Sequence, residues 1–342
     1  MGTPRPAEQL RGDALAIWRA GVDAIDPLRL LPQVVRAEHG ELSFGEHTFD
    51  LRDIDRILIV GGGKAGAGMA VGLENALGEE LLRDKQVTGL LSVPADCLTQ
   101  QVRAIRLAAG RPAGVNEPRP EGAAAAEQML RMVGGLTQRD LCICLLSGGG
   151  SALLPAPIPG ITLEEKAEVT RLLSGAGANI EQLNAVRKQL SLFKGGGLAR
   201  ACRAGQLVTL IISDVLGDPL DVIASGPTVE NRQTFDEAIA VFSDLGVQHE
   251  PVARRVLEGL RSRREAGDTP AATSQDYNLV IANNATAVDA AGMEAERRGY
   301  SHAMICASAS EDSAEEVGAQ LAAMALHMRD RPGPDCLISG GE

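Results

Sequence analysis

With 342 residues, 33 basic against 45 acidic side chains and a net charge of −12, the chain is long enough for two domains. That charge balance argues against nucleic acid or an anionic membrane as the main partner, while leaving room for one local basic site. Aromatic residues make up only 2%, so the core must be built from Ala, Val, Leu and Ile, and base-stacking platforms are not expected. No pair among Cys97, Cys142, Cys144, Cys202, Cys306 and Cys336 has C-x-x-C spacing, which argues against a zinc ribbon and suits a reducing, cytoplasmic setting. The charged N-terminus is no signal peptide, and no run of ~18 apolar residues spans a membrane.

In chain order, Leu10, Ala14, Ile17, Trp18 and Ile25 recur at helical spacing, which predicts an amphipathic helix with Trp18 in the core. Leu42, Phe44, Phe49 and Leu51 flank Gly45-Glu46-His47 as a small hairpin, with His39 and His47 solvated. Arg56–Val60 is an apolar, β-branched run that feeds Gly61-Gly62-Gly63-Lys64 and then a helix over Met69–Leu77. Strands follow at Val87–Val93, Ile105–Ala108 and Leu141–Leu146, with a helix at Glu121–Val133. Cys142 and Cys144 share one face of the last strand and pack as small hydrophobes.

Thr162 with Glu165 and Asn179 with Gln182 are capping boxes that open helices at Leu163–Leu173 and Leu183–Leu190. Leu207–Ile212 is a further strand, followed by helices at Thr234–Phe242 and Val252–Leu260. The polar stretch from Arg261 to Ser274 reads as a linker. Beyond it come Asn278–Ala282, Ala285–Arg298, Met304–Cys306, Ala314–Met328 and Cys336–Ser339, alternating strand and helix. The expected architecture is α/β: a Rossmann-like doubly wound parallel sheet over residues 1–262, then a second, smaller α/β unit over 275–342 that is incomplete.

Ligands on such sheets bind at the C-terminal strand ends. The Lys64 turn, the loop Ser147-Gly148-Gly149-Gly150-Ser151 and Asp214 would all emerge at that edge. A strand feeding a helix through a Gly-rich turn leaves N–H groups at a positive helix end, a ready site for an anion. Gly61, Gly63 and Gly66 fit the dinucleotide pattern G-x-G-x-x-G, but the strand after it ends in Ser92-Val93-Pro94, without the confirming acid. No Lys-Ser/Thr pair closes the turn, so the P-loop pattern fails as well.

These parts suit phosphoryl transfer, where catalysis is mostly positioning and charge neutralisation. Gly62, Gly63 and the loop from Ser147 to Ser151 would cradle phosphates through backbone N–H groups. Lys64 would stabilise the transferring group. Asn184, Arg187, Lys188 and Ser191 fall at i, i+3, i+4 and i+7 on one side of their helix, with Lys194 continuing a basic edge. Asp214 would hold Mg²⁺ through an oxygen. Each has a plainer reading: a solvated helix face for Arg187 and Lys188, a turn cap for Asp214, and a connecting loop for Gly195-Gly196-Gly197.

Gly61-Gly62-Gly63-Lys64-Ala65, Leu146 to Ala152, Asn184-Ala185-Val186-Arg187-Lys188, Ser213 to Asp218 and Asp221 to Thr228 together resemble the signature blocks of the two-domain glycerate 2-kinase family. The resemblance implies transfer of a phosphoryl group from ATP, with Mg²⁺, to the 2-hydroxyl of D-glycerate. It also implies an active site between a Rossmann-like N-terminal domain and a smaller α/β domain. The family's catalytic lysine falls on Lys64, and Arg187 is the second catalytic candidate. Arg111 stands where the family usually has His, and Gln189 follows Lys188 where His is common. The family continues past the position of Glu342 with a Gly- and Arg-rich block containing an arginine considered catalytic. The expectation is therefore a glycerate 2-kinase impaired by truncation, self-associating through the apolar surface of its unfinished domain. The alternatives are an NAD(P)H-dependent hydroxypyruvate reductase and a non-catalytic anion-binding remnant.

Overall fold

A computed structural model describes residues 5–265, 276–306 and 313–341. Helices α1 (Ala7–Ala24) and α2 (Pro27–Val34) lead into a three-stranded antiparallel sheet of β1 (Val35–Glu38), β2 (Glu41–Phe44) and β3 (His47–Asp50). The hairpin is as expected, and β1 adds a third strand to it. His47 is exposed but stacks on Tyr277, with ring centroids 4.8 Å apart.

The body alternates strand and helix in the predicted order. It runs β4 (Arg56–Gly62), α3 (Gly66–Asp84), β5 (Thr88–Pro94), β6 (Ile105–Arg111), α4 (Pro120–Gly134) and β7 (Asp140–Ser147). Then come α5 (Gly150–Leu153), α6 (Leu163–Gly175), α7 (Ile180–Gln189), α8 (Gly197–Ala201) and β8 (Gln206–Ile212). Helices α9 (Phe235–Asp244) and α10 (Pro251–Glu265) precede β9 (Asp276–Ala282). Both predicted capping boxes close, at Thr162 with Glu165 and at Asn179 with Gln182. Of the expected linker, Arg261 to Glu265 form the last turns of α10, and residues 266–274 lie outside the described residues.

The six strands lie in the order β6-β5-β4-β7-β8-β9, all parallel. This is the doubly wound arrangement, with the order reversing between β4 and β7. Every residue of β7 is buried, as a central strand covered on both faces requires. Leu141, Ile143 and Leu145 pack on one face with Met69, Leu73 and Leu77 of α3. Cys142, Cys144 and Leu146 pack on the other with Met129 and Val133 of α4 and Leu198 of α8. A third cluster joins α6, α7, α9 and α10 through Val169, Val186, Phe242 and Val256.

Strand β9, which the sequence reading assigns to the second unit, forms the sixth strand of the main sheet through its ladder with β8. The second layer comprises α11 (Asn284–Arg297), β10 (His302–Cys306), α12 (Ala314–Asp330) and β11 (Cys336–Gly340), with β10 and β11 parallel. Helix α1 docks on it. Asp13 accepts from the Tyr300 hydroxyl at 2.8 Å and from Arg298 at 2.5 Å, and both bonds hold its carboxyl below the usual range. Trp18 is not in this core: it is 62% exposed. The buried stripe of α1 is Asp13, Ile17 and Gly21, and Trp18 stands one residue, about 100°, round the helix from Ile17. No helix among the described residues is long and apolar enough to cross a membrane.

Candidate active site

The turn after β4 is packed tightly on its own protein. A β-carbon on Gly61 would overlap the Leu145 carbonyl and one on Gly63 would overlap Ser147, so both glycines are demanded by β7 alongside. The N–H groups are also taken up. Gly63 donates to the Ser92 carbonyl at 3.2 Å, Lys64 to the Gly148 carbonyl at 2.8 Å and Gly66 to the Gly63 carbonyl at 3.1 Å. Ala65 donates to Ser147 Oγ at 3.0 Å. Gly62 lies within the β4 ladder opposite Ser92 and Leu146. The expectation of free N–H groups at Gly62 and Gly63 is corrected on these bonds. What the turn does present is the exposed side chain of Lys64, whose ammonium meets no acceptor among the described residues.

The free N–H groups are in the second loop. Among the described residues, the backbone N–H groups of Gly148, Gly149, Gly150 and Ser151 have no acceptor. Gly149 is left-handed, with φ 80°, and such a reversal turns successive N–H groups toward one concavity. Three charged side chains surround this loop. A β-carbon on Gly149 would lie 3.4 Å from Lys64 Cε and 3.0 Å from Arg111 Nη2. One on Gly148 would overlap the Asp214 carboxylate. Lys64, Arg111 and Asp214 come from the ends of β4, β6 and β8, so the chemistry-bearing side chains meet on one rim of the sheet.

Arg111 was read from the sequence only as a departure from a family pattern. It is 5% exposed, its Nε is buried without a hydrogen-bond partner, and no carboxylate pairs with it among the described residues. An arginine buried without an acceptor carries a desolvation cost that a bound anion would offset. Asp214 is exposed and likewise unpaired among the described residues. No cluster of three metal-ligating side chains occurs among them. A single carboxylate beside a phosphate-type cradle fits a Mg²⁺ that arrives on a nucleotide and keeps its waters, rather than a dedicated metal cage.

A second group gathers on Ser151, two residues along the loop. Its hydroxyl accepts from Lys194 Nζ at 2.7 Å and from Arg187 Nη2 at 3.0 Å, and lies 3.0 Å from Ser225 Oγ. Lys194 also donates to the Ser151 carbonyl at 2.8 Å. Ser225 reaches Ser151 through strained backbone: Ala224, Ser225 and Gly226 are consecutive left-handed residues, with φ 50°, 65° and 61°. Gly195-Gly196-Gly197 is more than a connector, because Gly195 and Gly196 donate to the carbonyls of Ser225 and Gly226 at 2.9 and 2.7 Å. The loop that carries Ser225 is thereby clasped to the loop that carries Lys194.

Lys188 does not join this group. It is buried and ion-paired with Asp221 at 3.1 Å, which corrects its expected place on an open basic face. Asn184 is half-buried one turn earlier on α7, with no hydrogen bond for its side chain among the described residues. Lys166 is a cation that the sequence reading missed. It lies on the inward stripe of α6 with Val169 and Leu173 and donates to the Leu190 carbonyl at 2.9 Å. Burial, and then the Arg187 charge, lower its pKa to about 7. Burial also lowers Arg187, and Lys194 is held well below its ordinary value by burial, Arg187 and Lys166.

The family model described as "Domain of unknown function (DUF4147)" matches residues 13–260. Glycerate kinase from Mus musculus is 36% identical over 337 residues, covering 92% of this chain, and the chain spans 62% of that relative's length. Glycerate kinase from Bos taurus is 34% identical, with 98% of this chain and 72% of the relative covered. The chain belongs to the DUF4147 glycerate kinase family. The crystal structure of glycerate kinase from Thermotoga maritima superposes with a TM-score of 0.77 at 31% identity, covering 98% of this chain and 74% of that one. The doubly wound body that presents Lys64, Arg111 and Asp214 on a common rim in this chain is thus similar in fold to that glycerate kinase structure.

Proposed function

We propose that the chain carries the phosphoryl-transfer site of an ATP- and Mg²⁺-dependent kinase that phosphorylates the 2-hydroxyl of D-glycerate. The observation that carries this reading is the meeting of the Lys64 and Arg111 cations, the Asp214 carboxylate and the free N–H groups of Gly148 to Ser151. A polyphosphate needs cations, aligned N–H donors and a carboxylate for its metal, and these are the groups gathered there. The glycerate kinase relatives support the choice of acceptor.

In this reading the N–H groups from Gly148 to Ser151 hold the nonbridging phosphate oxygens, and Arg111 neutralises their charge from beneath Gly149. Asp214 would hold a Mg²⁺ ion through a carboxylate oxygen. When bound, Mg²⁺ neutralises charge on the phosphate chain and aligns it. Lys64, exposed at the mouth, holds its ammonium against the phosphoryl group as negative charge spreads over the transferring oxygens. Arg187 acts from the other side of the loop through Ser151.

The dinucleotide alternative has less support. Gly61 and Gly63 are explained by contacts with Leu145 and Ser147, and β5 ends without a carboxylate for a ribose. An ADP-release assay with D-glycerate and Mg²⁺ tests the kinase reading. Turnover that depends on D-glycerate, from this chain or from one extended to the length of its relatives, is the expected result. Absence of turnover from the extended chain rejects it.

A further inference from the structure

Lys166, Arg187 and Lys194 line one cavity of about 380 Å³, together with Arg171, Glu117, Pro118, Pro155 and Leu163 among others. Lys166 is 6% exposed and Lys194 2%. None of the three has a carboxylate partner among the described residues. Their hydrogen bonds go to neutral acceptors: the Leu190 carbonyl, and the carbonyl and hydroxyl of Ser151. Arg171 is exposed on α6 one turn beyond Lys166, and Glu117 is paired with Arg119 at 3.5 Å. Buried cations that repel one another and have no counter-ion are a destabilising arrangement unless an anion supplies the missing charge.

The lining distinguishes which anion. The free N–H array suited to a phosphate chain lies at Gly148 to Ser151, whereas this cavity mixes cations with Pro118, Pro155, Leu163 and Ala167. Ammonium and guanidinium groups against apolar walls suit a carboxylate on a short carbon skeleton. The cavity is also near the transfer centre. Lys194 holds Ser151, Lys64 packs on Gly149, and two residues of chain span at most about 7 Å. We infer that the Lys166–Arg187–Lys194 cavity binds the carboxylate of the small-acid acceptor and so selects acids over neutral polyols. This rests on the phosphoryl-transfer reading for the acceptor's role, and on the cavity alone for anion binding.

Calorimetric titration of the whole chain with sodium D-glycerate, glycerol and inorganic phosphate at constant ionic strength tests the inference. D-glycerate should bind, with glycerol weaker by about tenfold or more, because it lacks the charge-assisted bonds. Lys166→Met should lower D-glycerate affinity by a similar factor. Binding at pH 8 should also take up protons as the anion raises the depressed pKa of Lys166. The apparent enthalpy of the wild-type chain will then vary with the ionisation enthalpy of the buffer. This last measurement needs no variant, and Lys166→Gln replaces the Met variant if that does not fold. Equal binding of glycerol, phosphate binding without D-glycerate binding, an unchanged affinity in the Lys166 variants, or no binding at all would each overturn the inference. D-glycerate binding to this chain without turnover from the extended one would reject the kinase and leave this site standing. Turnover with a D-glycerate KM unmoved by Lys166→Met would reject this site and leave the kinase standing.

Discussion

The Asp214 carboxylate lies directly against the Cα of Gly148, so that a β-carbon at position 148 would overlap it. One residue comes from the end of β8 and the other from the loop after β7, and their contact sets the distance between carboxylate and N–H array. Gly148→Ala should push the carboxylate away, at a stability cost of about 1–3 kcal/mol and a larger proportional loss of activity. Thermal melts and the ADP assay, run on the same preparations, measure the two effects separately.

Lys64 contributes almost nothing to the apo fold, because its side chain is exposed and unbonded among the described residues. Lys64→Met should therefore leave the melting temperature unchanged within a degree or so while lowering kcat by about 10²–10³-fold, with a smaller change in KM for ATP. Steady-state kinetics with a melt as control decides it. A KM effect alone would make Lys64 a binding group rather than a catalytic one.

Arg111 should behave oppositely in stability. Replacing a buried cation that has no acceptor by an apolar side chain of similar length removes a desolvation cost, so Arg111→Met should raise apo stability by about 1 kcal/mol or more. ATP affinity should fall by about tenfold or more, since charge-assisted contacts to phosphate disappear. Urea denaturation and nucleotide titration give the two numbers.

Lys188 has a structural role. Asp221→Ala leaves its buried ammonium unpaired and should destabilise the chain by about 1–3 kcal/mol, the Asp221 side being solvent-screened. KM for ATP should stay within about twofold in the folded fraction. A large rise in that KM would return Lys188 to the binding site.

The pH dependence of stability follows from Lys166. Its pKa is about 7 in the fold against 10.5 for a free lysine, so between these values the unfolded chain binds more protons. The penalty of burying the charge is fully present below pH 7 and is relieved as pH rises toward 10.5. Its size is of order a few kcal/mol. Lys166→Met should thus be more stable than the parent at pH 6, with an advantage that shrinks steadily above pH 7 and vanishes only near pH 10.5. Arg187, Lys194, Arg171 and Glu117 are present in both chains, so the difference between the two curves reports Lys166 together with the relief its removal gives to Lys194. Denaturation curves across that range provide the check.

The sheet was legible because its central strands are long apolar runs: Ile57–Val60, Leu141–Leu146 and Leu207–Ile212 can only be buried on both faces. Strand β1, Val-Arg-Ala-Glu, has no such run and becomes a strand only by pairing with the hairpin. Trp18 was misplaced because hydrophobicity alone does not say which side of α1 meets α11. The contact falls on Asp13, Ile17 and Gly21.

The rim of the site was legible through its loops, since Lys64, the Ser147–Ser151 loop and Asp214 each follow a strand. Which N–H groups stay free depends on long-range bonds, from Lys64 to Gly148 and from Gly63 to Ser92, that no local pattern encodes. Lys166 sits among Glu164, Glu165 and Glu168 and reads as surface. Its signal was its register with Val169 and Leu173 on the inward stripe of α6.

Under the proposed function, one rim of the sheet grips a metal-bound polyphosphate between Lys64, Arg111, Asp214 and the loop from Gly148 to Ser151. Calorimetric titration of ATP with and without Mg²⁺ into the parent chain, Lys64→Met and Asp214→Asn tests it most directly. The expected result is binding to the parent that Mg²⁺ strengthens, weaker binding to Lys64→Met, and loss of the Mg²⁺ effect in Asp214→Asn. Binding that ignores Mg²⁺ in the parent, or that is identical in all three chains, would contradict it.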